Sequence, residues 1–455
     1  MEPDSLSREE LIQVVGDQQR IIEQLRAEID ELKRRSSAAP FSKGTRKPNP
    51  KPPGRKPGQG FFRFRAEAES AASIEPVKVP VPAGCCPDCG GTLGEAVTEI
   101  VSTTDVAARP LPEVRRYAVE TRPCRRCGKK VRGQHPDIAA DQQGATAHRV
   151  GARVKALAHV MHYGYGVPTR KVPAILEELT GVRLTQGAIA QDAMKQSAGA
   201  VGARYNELRA SVREQSVVHT DDTGWRVGGA AAQLMVFANP TLVVYQIRPR
   251  HRNQEVREVI PADFTGVMVC DRGRSYDAAE LEAVSQQKCL SHLIRNASEV
   301  ENKKTGAAAV FSRKLKSLLR DAMGLCGSRS RMETADFRSQ ADKLDFTLTR
   351  HLRNRILRDD DNQRLLNGVG TQHDKGNVLR FLHEEGIEAT NNRAERELRP
   401  AVIARKVSHC SRNENGARAF EAFTSVIQTI RKTTTSGLAA AFIQRIGRMQ
   451  PAAPS

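Results

Sequence analysis

The sequence predicts a multidomain α/β protein, and three observations predict it. β-rich runs ending in aspartates alternate with helical stretches through the second half of the chain, an acidic heptad repeat opens it, and two CxxC pairs lie between. The 455 residues include 71 Lys+Arg against 52 Asp+Glu, a formal net charge of +19. At roughly 100 to 200 residues per domain, that length allows two to four domains. Apolar residues at 39% can build a sizeable core, which excludes a wholly disordered chain. No stretch approaches the ~20 consecutive apolar residues of a membrane span, and the N-terminus lacks the basic-then-apolar pattern of a signal peptide. A cytoplasmic, nucleoid-associated protein is expected. Nine cysteines are too few for a disulfide scaffold, so paired ones read as metal ligands. The excess positive charge points to a polyanion, most simply nucleic acid.

The charge is unevenly placed. Residues 1–32 hold three basic and nine acidic side chains, whereas residues 33–65 hold 11 basic and no acidic ones. In the acidic part, Leu11, Gln18, Leu25 and Leu32 recur every seven residues, with Val15, Ile22 and Ile29 interleaved. β-branched residues at one seam position and mostly Leu at the other predict a parallel two-stranded coiled coil over residues 7–33. Ser7 and Glu10 form its capping box, and the alternative is a single helix packed on the protein's own body. Residues 34–80 read as a basic Pro/Gly linker whose cations suit phosphates, and Gly54-Arg55-Lys56-Pro57-Gly58 is similar to minor-groove basic hooks.

Residues 81–135 predict a zinc ribbon. Cys86-Pro-Asp-Cys89 and Cys124-Arg-Arg-Cys127 are each followed by glycine, which permits the turn that aims two thiolates at one ion. Four sulfurs suit a structural, tetrahedral Zn²⁺, with Cys85 competing with Cys86, and β-rich pieces near residues 99–103 and 116–121 would form the hairpins. Residues 145–205 read as a helical, helix-turn-helix-like DNA-binding domain. A helix over residues 152–162 is followed by one opened by Pro168 and broken by Gly181, then by a third capped by Thr185. His159 and His162 read as helix surface or core rather than as metal ligands.

The chemistry-bearing acids follow. A β-rich run over residues 216–227 contains Asp221 and Asp222, and two further runs, 233–238 and 241–247, complete an antiparallel meander. After a charged helical stretch near 252–259, a buried-strand run over 266–273 delivers Asp271 at its C-terminal end, where open α/β sheets place their sites. Another strand-like piece surrounds Cys289 to Leu293. Asn392 is expected to cap a helix that holds Glu395 in its first turn. Two strand-borne aspartates and a helix-borne glutamate make a hard-oxygen site for Mg²⁺ or Mn²⁺, ions that activate an attacking oxygen and stabilise a leaving one. Asp222 is the rival of Asp221, because neighbouring strand residues face opposite sides and only one enters the site. Glu397 is the rival of Glu395 on another helix face. Arg393, Arg396, Arg399, Arg405 and Lys406 surround Glu395 with cations for DNA phosphates, the alternative being a solvated helix face. Trp225, the single tryptophan, reads as a core anchor rather than a base-stacking residue.

At these residues the chain resembles the DDE transposases of the insertion-sequence-66 type. The resemblance rests on Asp-Asp-Thr-Gly-Trp at 221–225, Cys-Asp-Arg-Gly-Arg-Ser-Tyr-Asp at 270–277 and Asn-Asn-Arg-Ala-Glu-Arg-Glu-Leu-Arg-Pro at 391–400, and it runs through nearly the whole chain in order. It implies that Asp221, Asp271 and Glu395 are the catalytic acids and ligands of Mg²⁺ or Mn²⁺. It also implies an RNase H-like core over 212–296 and 386–447, interrupted by a helical insertion over 297–385. Asp222 stands where the family commonly has Glu, and Thr390 replaces the Asp that commonly precedes Asn-Asn. Cys289-Leu-Ser-His292 matches a CxxH element expected to be structural and near the active site. The implied activity is metal-dependent cleavage at insertion-sequence ends and strand transfer to target DNA. The implied partners are terminal inverted repeats, target DNA, a second copy or larger synaptic complex, and companion proteins of the same element. The alternatives are a non-catalytic zinc-ribbon and helix-turn-helix regulator, or an RNase H-like nuclease without strand transfer.

Overall fold

A computed structural model describes residues 8–35, 88–92, 95, 112–133, 135, 150–353, 355–435 and 437–446. The chain divides into two units, Met1–Leu111 and Pro112–Ser455. Ser7 of the expected capping box, linker residues 36–80, Cys85, Cys86 and the strand expected near 99–103 lie outside the described residues.

In the first unit, the heptads form helix α1 (Arg8–Arg35), two residues into the expected linker. Val15, Ile22 and Leu25 of its seam are exposed. Cys89 is a free, exposed thiol followed by Gly90 at φ +72°.

The second unit opens with the second cysteine pair between strands β1 (Thr121–Pro123) and β2 (Lys130–Arg132), which pair antiparallel. Its first strand therefore begins at Thr121, the end of the stretch expected at 116–121. Gly128 at φ +71° closes the turn, donating its N–H to the Cys124 carbonyl at 2.8 Å. Helix α2 (Ala152–His159) runs into a π-type turn, Val160–Gly164. Helix α3 (Val172–Thr180) carries Pro173 in its first turn and does not start at Pro168, because Pro168 opens a separate turn closed by the Lys171 N–H. Gly181 ends α3 in the left-handed conformation at φ +74°, and the Thr185 hydroxyl caps α4 (Gln186–Ala198) by accepting the Ala188 N–H at 3.1 Å. Helix α5 (Ala200–Ser211) leads into the sheet.

Strands β3 (Val217–Val227), β4 (Ala230–Ala238) and β5 (Val243–Arg248) form the expected antiparallel meander. The β3–β4 loop is Gly228-Gly229, both at positive φ, as a tight two-residue hairpin requires. After α6 (Asn253–Arg257), strands β6 (Val267–Cys270) and β7 (Gln286–Lys288) add in parallel. Among the described residues the sheet is mixed and five-stranded, in the order β5-β4-β3-β6-β7. The strand expected around Cys289–Leu293 is instead the start of α7 (Leu290–Asn302): Leu290, Leu293 and Ala297 recur at helical spacing and bury one face. Helices α8 (Val310–Ser328), α9 (Thr334–Leu352), α10 (Asp360–Asp374) and α11 (Arg380–His383) follow, then α12 (Asn392–Ser408), α13 (Glu414–Thr433) and α14 (Leu438–Ile446).

The sheet is covered on both faces, and residue parity decides what covers each. Val218, Met268 and Cys270 pack towards α5, α13 and α14. On the other face, Val267 and Val269 pack against α7 to α11, while Trp225, Leu234, Val236 and Tyr245 pack against α12. His159 is buried against Phe423 with its Nε2 2.8 Å from Asp192, and the His162 ring bonds the Val167 carbonyl, so both belong to the packing as expected.

Candidate active site

Strands β3 and β6 run parallel with Val217 opposite Val267, Val218 opposite Met268 and His219 opposite Val269. Continuing this constant offset (267 − 217 = 50) two residues further sets Asp221 level with Asp271. Neighbouring strands lie ~4.8 Å apart, and level residues of a parallel pair share a face. Asp221 accepts the Asp222 N–H at 2.9 Å, and Asp271 accepts the Gly273 N–H at 2.8 Å. A Cβ on Gly273 would stand 3.0 Å from the Asp271 Oδ1, so glycine lets this turn close tightly. Burial pushes the Asp221 carboxyl up to about 6, against the pull of the Asp222 N–H and with the Asp271 charge adding to the rise. Two carboxylates are thus brought together under electrostatic stress.

Asp222 faces away, its Oδ1 3.0 Å from His251 Nδ1. Glu397 is also engaged elsewhere, 2.6 Å from Lys432 Nζ.

Glu395 arrives by a different route. Helix α12 is capped at Asn391 rather than Asn392, and the Glu395 N–H donates to the Asn391 carbonyl at 3.2 Å, which fixes Glu395 in the first turn. The Asn391 side chain makes no cap bond, because it is spent on the sheet: Nδ2 donates to the Thr220 carbonyl at 2.8 Å and Oδ1 lies 3.3 Å from His219 Nδ1. Burial drives His219 down to about 4, so the neutral ring carries its proton on the nitrogen that faces Asn391 Oδ1. The Glu395 carboxylate is half-buried and has no hydrogen-bond or ion-pair partner among the described residues. Among those residues no three His, Cys, Asp or Glu side chains gather closely enough to hold a metal ion. The structure therefore pairs Asp221 with Asp271 and leaves Glu395 outside that pair.

Two supports escaped the sequence. Lys288, fully buried, places Nζ 2.7 Å from Asp277 and 3.5 Å from Cys270 Sγ, tying the loop after Asp271 to the sheet. Asn391 is the other, and its N–H donates to Cys289 Sγ at 3.1 Å. Burial works to raise the Cys289 thiol, but the His292 hydrogen bond and nearby N–H groups hold it below its ordinary range, and the same bond raises His292. The Tyr-Asp and Asn-Asn dipeptides were the only sequence signals for either support.

Residues 148–419 match the Transposase IS66 family. The chain belongs to this family. The matched span is more than half of the IS66-type chain and contains all three acids. No curated protein matches it. The family is one of nucleic-acid-processing enzymes, which makes DNA the implied partner and a divalent metal the implied cofactor. The residues fit such an ion: the donors are hard carboxylate oxygens, and a dication would favour the charged form of Asp221 that burial and the Asp271 charge disfavour.

The transposase's other expected site residues fall into place individually. Arg393 pairs with Glu388, and Arg405 donates to Thr223 Oγ1 and the Gly224 carbonyl, so both brace α12. Arg396, Arg399 and Lys406 are exposed. Trp225 is 3% exposed and donates to Ser411 Oγ at 3.1 Å beside Phe420, the core anchor expected. The Cys124 thiol is held below its ordinary range by N–H groups of Cys127 and Arg126 and by the Cys127 thiol, a turn that favours thiolate. No helix among the described residues is long and apolar enough to cross a membrane.

Proposed function

We propose that this transposase cleaves DNA at the ends of its insertion sequence and joins the freed ends to target DNA, using Asp221, Asp271 and Glu395 on an RNase H-like core. The observation that carries this reading is the placement of Asp221 on β3 and of Asp271 one residue past the end of the adjacent parallel strand β6, where the Asp271 charge acts on Asp221, raised to about 6. A meander followed by two parallel strands, with α8 to α11 inserted before the glutamate helix, supports the core over 212–296 and 386–447 and the insertion over 297–385.

Asp221 and Asp271 would hold Mg²⁺ or Mn²⁺, with Glu395 as the further carboxylate. The bound ion supplies charge stabilisation for the attacking and leaving oxygens of a phosphodiester. The chain's own residues do the positioning. The Gly273 N–H holds the Asp271 carboxylate, and Lys288 with Asp277 holds that loop on the sheet. Arg396, Arg399 and Lys406 offer unshielded cations to backbone phosphates. Cleavage by water leaves a 3′-hydroxyl, and that hydroxyl then attacks a target phosphodiester in line, one P–O bond forming as another breaks. The coiled coil at 7–33, the linker at 34–80, a structural Zn²⁺ on Cys86, Cys89, Cys124 and Cys127, and the helical domain at 145–205 complete the proposal on the strength of their sequence patterns. They would serve assembly of two or more copies and recognition of terminal repeats.

The test is incubation with Mg²⁺ and a labelled end of the element, beside the Asp271→Asn variant. Cleaved and joined products from the wild type, and none from the variant, are expected. Binding without cleavage contradicts the reading, and cleavage without joining reduces it to a nuclease.

A further inference from the structure

We propose that Asn391 is a positioning residue: it knots the Glu395 helix to the strand bearing Asp221 and to Cys289, and so sets how tightly the carboxylates hold a divalent cation. This rests on the metal-site reading above and adds a residue to it.

Asn391 is fully buried, and its bonds reach three separate chain segments. Nδ2 holds the Thr220 carbonyl, immediately before Asp221, and Oδ1 meets His219 on the same strand. Its main-chain N–H holds Cys289 Sγ, and the Cys289 N–H in turn holds the carbonyl of Cys270, immediately before Asp271. Its own carbonyl accepts the Glu395 N–H. One residue thus stands a single bonded step from the backbone beside Asp221 and from Glu395, and two steps, through Cys289, from the carbonyl before Asp271. The adjoining Leu290 N–H to Ala389 carbonyl bond, 3.0 Å, doubles the link between Cys289 and the approach to α12. A capping asparagine ordinarily spends its side chain on its own helix. Here that bond is given up for contacts to the sheet, which a cap alone does not require.

Groups behind metal ligands typically change metal affinity about ten- to a hundred-fold when removed. Asn391→Ala is therefore expected to weaken Mn²⁺ binding by about that factor, read from the electron paramagnetic resonance signal of free Mn²⁺ in titrations of the full chain bound to an end duplex. The Mg²⁺ concentration for half-maximal cleavage should rise in parallel, while end-duplex affinity in EDTA stays at the wild-type value. Asn391→Asp, which places an acceptor against the Thr220 carbonyl, should behave like the alanine variant. Should Asn391→Ala fail to fold, His219→Ala and Cys289→Ser remove or shorten one arm each and should shift Mn²⁺ affinity in the same direction by less. Wild-type Mn²⁺ affinity in these folded variants overturns the inference. If the wild type itself binds no Mn²⁺ and cuts no DNA, the metal-site reading has failed instead.

Discussion

The two aspartates and the glutamate are held by different physics. Asp221 and Asp271 are brought together because they follow a shared parallel ladder of strands β3 and β6, whose register is set by buried residues such as Val218, Met268 and Val269. Glu395 comes from α12, a helix without any ladder to the sheet, and its place depends on side chains: Asn391 at the cap, Arg405 in the last turn, and the packing of Leu398 and Ala401. A strand site is therefore robust in position but electrostatically costly, whereas the helix site is cheap to form and sensitive to single buried contacts.

The largest expected effect breaks the strand pair itself. Asp221→Asn should eliminate Mg²⁺-dependent cleavage of an end duplex while leaving binding intact; residual wild-type cleavage would mean that Asp222 is the working acid. The next effect is on stability. Asp277→Asn leaves the buried Lys288 ammonium without its partner and should cost about 3–5 kcal/mol in chemical denaturation. An unaltered midpoint would show that the loop after Asp271 does not depend on that pair.

A smaller effect follows from the stress on Asp221. Its folded value of about 6 exceeds the ordinary 3.8, so the folded state binds the extra proton. The contribution is fully present below about pH 4 and is lost as pH rises through 6, amounting to about 2–3 kcal/mol. In EDTA, thermal stability should fall over that window; Mg²⁺ or Asp221→Asn should flatten the fall. A flat wild-type profile in EDTA would contradict the burial of the Asp221 carboxyl beside Asp271. The smallest effect belongs to the exposed face of α12. Arg396→Ala should weaken DNA binding across sequences and lower the salt slope by about one, measured by fluorescence anisotropy at several ionic strengths. An unchanged slope would leave Arg396 as a solvated side chain.

The same contrast explains what was legible in the sequence. β-rich and near-continuous apolar runs revealed β3, β4, β5 and β6, and with them Asp221 and Asp271, since a strand covered on both faces reads as such a run. The misplacements lie where long-range contact decides. Cys289 looked like strand because it follows one, yet Leu290, Leu293 and Ala297 commit the chain to helix from the next residue. Asn392 looked like the cap because the spacing to Glu395 suits it, but the cap is Asn391, whose partners Thr220 and Cys289 lie 171 and 102 residues away. Lys288 reads as an ordinary surface lysine until the fold brings Asp277 to it. Local pattern carries no information about such bonds.

The most direct measurement of the central claim is anomalous scattering from crystals soaked in Mn²⁺. A peak bridging the carboxylates of Asp221 and Asp271, with Glu395 turned towards it, is the predicted result. A peak at Asp222 and His251, or none near the paired aspartates at saturating Mn²⁺, would contradict it.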